Sequence, residues 1–346
     1  MNPGLAVVAP GLHSTIQDFG RRGYQSSGVP VCGPLDRIGL TLANGLVGNA
    51  AGEAALEILV QGPALEVAAG SARLALVGNQ GGLSIEGGST RTIPPGQSVR
   101  VVRGDRVRVG PLGAVSCAYL AVEGGFAVPL CFGSAATYTR GAFGGLHGRA
   151  IALGDLLPLH RDEVEPRAEL GLAEDFELGL DRPIRVVLGP QQDHFTEEAV
   201  ETLLSAEFNI SAQADRMGFR LDGPRLAHRG DYNIVSDGIV AGAIQVPGSG
   251  QPIVLLADAQ TTGGYPKIAT VISADLPLIG RRKPGTAVRF SALNQAEAEI
   301  VRRSQEQWLK RQIAGLRPVN ERPALDLAAL YAANLIDGVV DAVGGP

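Results

Sequence analysis

IQVPGSGQPIVLLADAQTTGGYPKIATVISADL, residues 244–276, breaks every few positions at Gly, Pro or Asp, and the runs between the breaks are too short for ordinary helices. PIVLLAD and ATVIS are rich in β-branched and apolar side chains, which fit a pleated, half-buried surface. The same grammar continues outward. LAVVAP, LEILVQ, ARLALVG, VRVVRGDRVRVG, SCAYLAV, IRVVLG and AVRFSAL are equally brief, and 47 glycines fall singly or in pairs between such runs. That is about twice the ~7% average usage. The pattern predicts a mainly β protein built from antiparallel barrels or sandwiches, not a parallel α/β sheet.

Helix signals are few. Asn294 is a good N-cap ahead of AEAEIVRRSQEQWLKRQIA, and Gly315 is a good stop. Thr196 can cap a shorter helix, with Glu197 and Glu198 at its positive end. A third helix is predicted from Asp36 to Val47. D-R-I-G-L-T-L at 36–42 is echoed by D-R-M-G-F-R-L at 215–221, and LVGNQGG at 76–82 by LADAQTT at 256–262, at offsets of 179 and 180 residues. The echo points to a duplication. The acidic segment 160–183 lacks strand patterning and is the natural junction, so the expected organisation is an N-terminal barrel over 1–165, a C-terminal barrel over 180–316 and a tail over 317–346. Leu327, Leu330, Asn334, Leu335 and Val339 give that tail a mostly apolar stripe at helical spacing, suited to docking on the body or on a partner.

Net charge is −5 and the basic residues are scattered, so the electrostatic footprint of a nucleic-acid binder is missing. Three cysteines without a C-x-x-C pair fit a reducing cytoplasm, and no zinc or other metal site is expected. The N-terminus lacks the pattern of a signal peptide, and no run approaches the ~18 apolar residues of a spanning helix. A cytoplasmic location away from membranes is the expectation. There is no G-x-x-x-x-G-K-[ST] loop, G-x-G-x-x-G fingerprint or G-x-S-x-G elbow, so any ATP must bind elsewhere. A biotin-carrying lysine normally sits between methionines, and Met1 and Met217 are the only ones here. Biotin would have to ride on a partner.

Four polar stretches remain. Residues 10–49 place Thr15, Gln17, Asp18, Arg21 and Asp36 among glycines that allow close backbone approach to a ligand or partner; equally, Asp18 and Arg21 can tie a loop and Asp36 can cap a helix. In GPQQDHF, residues 189–195, Asp193 can orient His194 for proton transfer, unless the two point to opposite faces of a strand. Asp215 and Arg216 read as a surface pair at a Gly turn on pattern alone. The strongest stretch is 244–276, where a buried-looking strand delivers Asp258, Gln260, Thr261 and Thr262 into a Gly-Gly turn followed by Tyr265 and Lys267. Lysine is rare here, with Lys267, Lys283 and Lys310 the only three among 30 basic residues. An amide, hydroxyls, a phenol and an ammonium at one strand end suit a carboxylate or acyl oxyanion, and can supply a proton.

PGLHSTIQDFGRRGY, GVPVCGPLDRIG, ANGLVGN, GPQQDHF, ADRMGFRLDGP, GAIQVPGSGQPIVLLADAQTTGGYPKIATVISADL and KPGTAVRF, spread over residues 4–316, resemble the successive signatures of the allophanate hydrolase subunit 2 family. The family is also known as the 5-oxoprolinase C-subunit family, or as biotin-dependent carboxyltransferase-like. The resemblance implies two tandem cyclophilin-like β-barrels, a smaller partner (the B-subunit) and a further protein (the A-subunit) that together open 5-oxoproline to glutamate with ATP. It also implies a likeness to the carboxyltransferase region of urea carboxylase, which moves a carboxyl group from carboxybiotin to urea. Some members resemble a non-catalytic antagonist of a kinase inhibitor. Carried over by position, the motifs place Asp193, Asp215, Arg216, Met217, Gln245, Asp258, Gln260, Thr261, Tyr265 and Lys267 at the site. In this reading Lys267 holds a carboxylate or stabilises the oxyanion, Tyr265 or His194 moves a proton, and Asp258 orients them. Asp215, Arg216, Met217, Gln245, Gln260, Thr261 and Thr262 bind substrate, and Thr15, Gln17, Asp18 and Arg21 serve a loop or partner.

Overall fold

The computed structural model describes residues 3–174, 176 and 179–319. The stripe expected between 327 and 339 lies outside them. The protein is mainly β, as its sequence predicts. Six strands form one antiparallel sheet in the order Leu156–Pro158, Gly4–Ala9, Ala64–Val67, Arg106–Val109, Leu83–Glu86, Arg91–Ile93. Five more form a second, in the order His13–Gln17, Ala55–Leu59, Cys117–Val122, Ser71–Val77, Ser98–Val102.

Ser71–Val77 and Cys117–Val122 are buried along their whole length, which explains why ARLALVG and SCAYLAV are apolar on both faces. Side chains alternate across a strand. Ala72, Leu74, Leu76, Ala118, Leu120 and Val122 enter the core between the first two sheets. Ala75, Val77, Cys117, Tyr119 and Ala121 enter a second core shared with the C-terminal half.

Eight strands make the C-terminal sheet, in the order Ala287–Val288, Phe208–Asp215, Gly218–Asp222, Ile253–Leu255, Ala243–Gln245, Lys267–Val271, Ile184–Leu188, Phe290–Ala292. Its two edge strands are separated in sequence only by Arg289, so the sheet curls round into a nearly closed barrel. Closure removes exposed edges.

The helices are α1 (Arg37–Val47), α2 (Glu197–Ser205), α3 (Leu276–Gly280) and α4 (Gln295–Ala314). Asp36 caps α1 by accepting from the Ile38 and Gly39 N–H groups, and Thr196 caps α2 through Ala199 N–H. Asn294 and Glu297 form a reciprocal capping box on α4. The echoed D-R-x-G motif takes two different structures. At 36–42 it opens α1, whereas at 215–221 it turns the hairpin between Phe208–Asp215 and Gly218–Asp222.

Buried charges join the halves. Arg216, in the C-terminal hairpin, places Nε and Nη2 on the two Asp258 oxygens at 2.9 Å each, bonds Glu57 of the N-terminal half through Nη1, and donates from Nη2 to the Gly33 carbonyl at 2.7 Å. Glu57 also accepts from Tyr119 Oη at 2.5 Å and Leu35 N–H at 2.8 Å. Nearby, Arg281 reaches both Asp36 oxygens at 2.6 and 2.9 Å. The acidic segment 160–183 is tied down as well, because fully buried Arg73 holds Glu169 at 3.1 Å. Removing one partner of a buried, hydrogen-bonded pair leaves an uncompensated charge, so Arg216→Met is expected to destabilise the protein by about 3–5 kcal/mol in chemical denaturation. A loss under ~1 kcal/mol would mean that water reaches the pair.

Candidate functional site

A cleft of about 330 Å³ opens between the halves. One wall is the loop 19–37 that precedes and enters α1, and the other comes from 239–241, 256–261 and 273–277. Leu35, Ile239, Leu256 and Leu276 give it apolar surface, while Gln260, Thr261 and Ser273 add amide and hydroxyl groups. Its size and mixed lining are those of a small-molecule site.

The sequence-selected residues divide into three groups. Gln260 and Thr261 line the cleft. Asp258 lies behind it, because Ala257 and Ala259 line the cleft while the intervening carboxylate turns inward to Arg216. Asp258 therefore holds Arg216 and not the expected Lys267 or Tyr265; the chain leaves its strand at Leu255, and the turn that follows points residue 258 into the interface.

Lys267 belongs to a second cluster. It lies in the strand Lys267–Val271, and its buried ammonium donates to Asp237 Oδ2 at 2.8 Å. Gln191 Nε2 donates to the same oxygen at 3.2 Å, and Gln191 Oε1 accepts the Lys267 N–H at 3.1 Å. The bond from Lys267, then those from the Gly238 N–H and Gln191, hold the Asp237 carboxyl below the usual range. Tyr265 is exposed, and its carbonyl accepts from buried Gln245 at 3.4 Å. Thr262 is exposed on a two-residue strand paired with Asp237–Gly238. Asp193 and His194 sit in a single 3-10 turn, Gln192–His194, with Asp193 exposed and His194 half-buried, so the strand geometry considered for them does not arise.

The remaining residues lie away from the cleft lining and make contacts within the fold. Asp215 accepts the Met217 N–H at 2.8 Å to close the hairpin and pairs with Arg140 at 3.3 Å on the surface. Arg216, by contrast, is buried and reaches across the interface. Thr15 and Gln17 lie in a buried strand and not in a loop, with Gln17 Nε2 donating to Thr15 Oγ1 at 3.0 Å. Asp18 gathers Ser134, Ala135 and Gly20, tying that loop down.

Sequence reasoning missed Asp237, Gln191, Glu57 and Cys32. Asp237, in SDG, reads as a turn residue, and Glu57 sits inside an apolar strand run. Cys32 has a left-handed backbone, φ 57°, and lines the cleft. Burial, with the Asp258 carboxylate adding to it, pushes its thiol up to about 12. At neutral pH it is a protonated, weak nucleophile. Cys32 is thus not an activated nucleophile in the cleft.

The model of the family described as carboxyltransferase domain, subdomain A and B, matches residues 27–292. The chain is 34% identical over 306 residues to the 5-oxoprolinase C-subunit of Escherichia coli strain K12, covering 88% of this chain and 96% of that protein. It is 33% identical to the Haemophilus influenzae protein of the same name, covering 86% and 93%. Among solved structures, the K. lactis urea amidolyase superposes with a TM-score of 0.79 at 31% identity, over 90% of this chain but 20% of that one.

Lys267→Met is expected to raise the Asp237 carboxyl toward the ordinary aspartate range, short of it because the Gly238 N–H and Gln191 bonds remain, read as its side-chain 13C titration midpoint. An unmoved midpoint would show that the ion pair does not form in solution.

Proposed function

The chain belongs to the carboxyltransferase subdomain A and B family, and on that premise we propose that it is the C-subunit of an ATP-dependent 5-oxoprolinase, with the cleft between its halves receiving the cyclic amide. The observation that supports this reading is the likeness to the E. coli 5-oxoprolinase C-subunit, 34% identical over 306 residues, against 31% identity to the K. lactis urea amidolyase. In the reaction the lactam C–N bond breaks and the elements of water are added, giving glutamate. ATP is used through a partner protein, since no phosphate-binding loop is present in this sequence. The A- and B-subunits are the proposed partners, in the cytoplasm; no helix among the described residues is long and apolar enough to cross a membrane.

Within this reading Gln260 and Thr261 hold the amide. Lys267, Tyr265 and His194 do not line the cleft, so this reading requires the partner to bring their cluster around Asp237 against the amide, where Lys267 would supply positive charge for an oxyanion and Tyr265 or His194 a proton. A second reading, carboxyl transfer from a partner's biotin to a urea-type amide, is favoured by the TM-score of 0.79 to urea amidolyase.

The test is reconstitution of the chain with candidate A- and B-subunits, 5-oxo-L-proline and ATP. Glutamate release is expected, and Lys267→Met should lower turnover on the order of 10²–10³-fold, the effect of losing one preorganised oxyanion donor. Turnover of urea with a biotinylated partner, without glutamate release, would select the second reading.

A further inference from the structure

We propose that Arg22 and Arg37 form an anion clamp at the cleft, making it selective for a small organic acid carrying a carboxylate over a neutral amide. The inference rests on the reading that this cleft receives the substrate. It deepens that reading by assigning the group that recognises the acid.

The charge distribution carries the proposal. The chain is acidic overall, with net charge −5, yet the residues lining the cleft include Arg22 and Arg37 and not one Asp or Glu. Neither guanidinium has a hydrogen bond or ion pair among the described residues. The carboxylate whose charge reaches Arg37 is that of Glu306 on α4, and it is already engaged by Arg302 at 2.8 and 3.1 Å.

Arg37 is also held in position. Its guanidinium lies over the Phe19 ring at 3.6 Å from the centroid, a stacking that leaves the edge N–H donors free for an oxyanion. Partial desolvation, then the charges of Arg22 and Arg302, hold its pKa below the ordinary arginine value against the opposing pull of Glu306. A third positive charge stands behind the wall. Arg21 is fully buried and, among the described residues, its side chain bonds only the Cys131 and Ala136 carbonyls and a ring face, leaving Nη1 without a partner there.

Two unpaired planar forks suit a carboxylate, which accepts paired N–H donors, whereas a neutral amide gains little from them. The apolar wall at Leu35, Ile239 and Leu256 accommodates a compact ring, and Gln260 and Thr261 complement its amide.

Calorimetric titration of the full chain compares 5-oxo-L-proline with 2-pyrrolidinone, the same lactam without its carboxylate. The acid is expected to bind on the order of 10–100-fold more tightly, the effect of a hydrogen bond to a charged group. The double variant Arg22→Gln/Arg37→Gln should erase that preference while leaving 2-pyrrolidinone binding unchanged, and Arg37→Lys, which keeps the charge but not the fork, should recover part of it. Unchanged thermal unfolding controls for folding of the variants. Equal binding of the two lactams, no binding of either, or a preference that survives the double variant overturns the clamp. If the reconstituted complex still releases glutamate in that case, the functional reading stands without the clamp. Clamp-dependent binding with no glutamate release would instead keep the clamp and remove the functional reading.

Discussion

Arg216 is a buried guanidinium with a carboxylate from each half of the molecule, Asp258 on its own side and Glu57 across the interface. Removing three charges from water is expensive, and the arrangement holds only because the donors and acceptors are matched. Burial opposes the arginine's charge, but Asp258 and Glu57 outweigh it and hold its pKa above the ordinary value. The planar fork demands a fixed geometry from both carboxylates. With the buried Arg281–Asp36 pair beside it, this network gives the two halves one register.

That register places the cleft. Asp258 points inward while its neighbours Ala257 and Ala259 point out, so the residue that bonds Arg216 also sets where Gln260 and Thr261 emerge. From the other half, Glu57 holds the Leu35 N–H and Arg216 holds the Gly33 carbonyl, which pins the loop forming the opposite wall. Both walls therefore depend on one ion-pair network. The Lys267, Asp237 and Gln191 cluster stands outside this arrangement, anchored through strand Lys267–Val271.

Local features were legible wherever local rules decide them. Asn294, Thr196 and Asp36 cap helices as their side chains predict, because a cap is settled within three or four residues. The apolar runs became strands. Phe208–Asp215 and Gly218–Asp222 were not picked out, since FNISAQAD and GFRLD carry as many polar as apolar side chains and owe their pairing to each other and to Ala287–Val288 and Ile253–Leu255. The D-R-x-G echo misled for a related reason. In α1 the residues after Arg37 are buried almost without a break, from Ile38 to Asn44 and again at Leu46 and Val47, as in a helix enclosed on all sides, while after Arg216 only Phe219 and Leu221 are buried, with the alternation of a strand.

The sequence by itself determined the β-rich class, the helix ends and the concentration of polar residues past PIVLLAD, because periodicity, capping and composition act over a few residues. Only the tertiary structure decided what those polar residues do. Asp258 and Lys267 lie nine positions apart within one motif, yet one faces Arg216 in the interface and the other faces Asp237 near the surface. Glu57 and Arg216 are 159 residues apart in sequence and meet as a buried pair. A charged side chain's role is set by which opposite charge lies within about 4 Å and how much water remains, and neither is written in its neighbours along the chain.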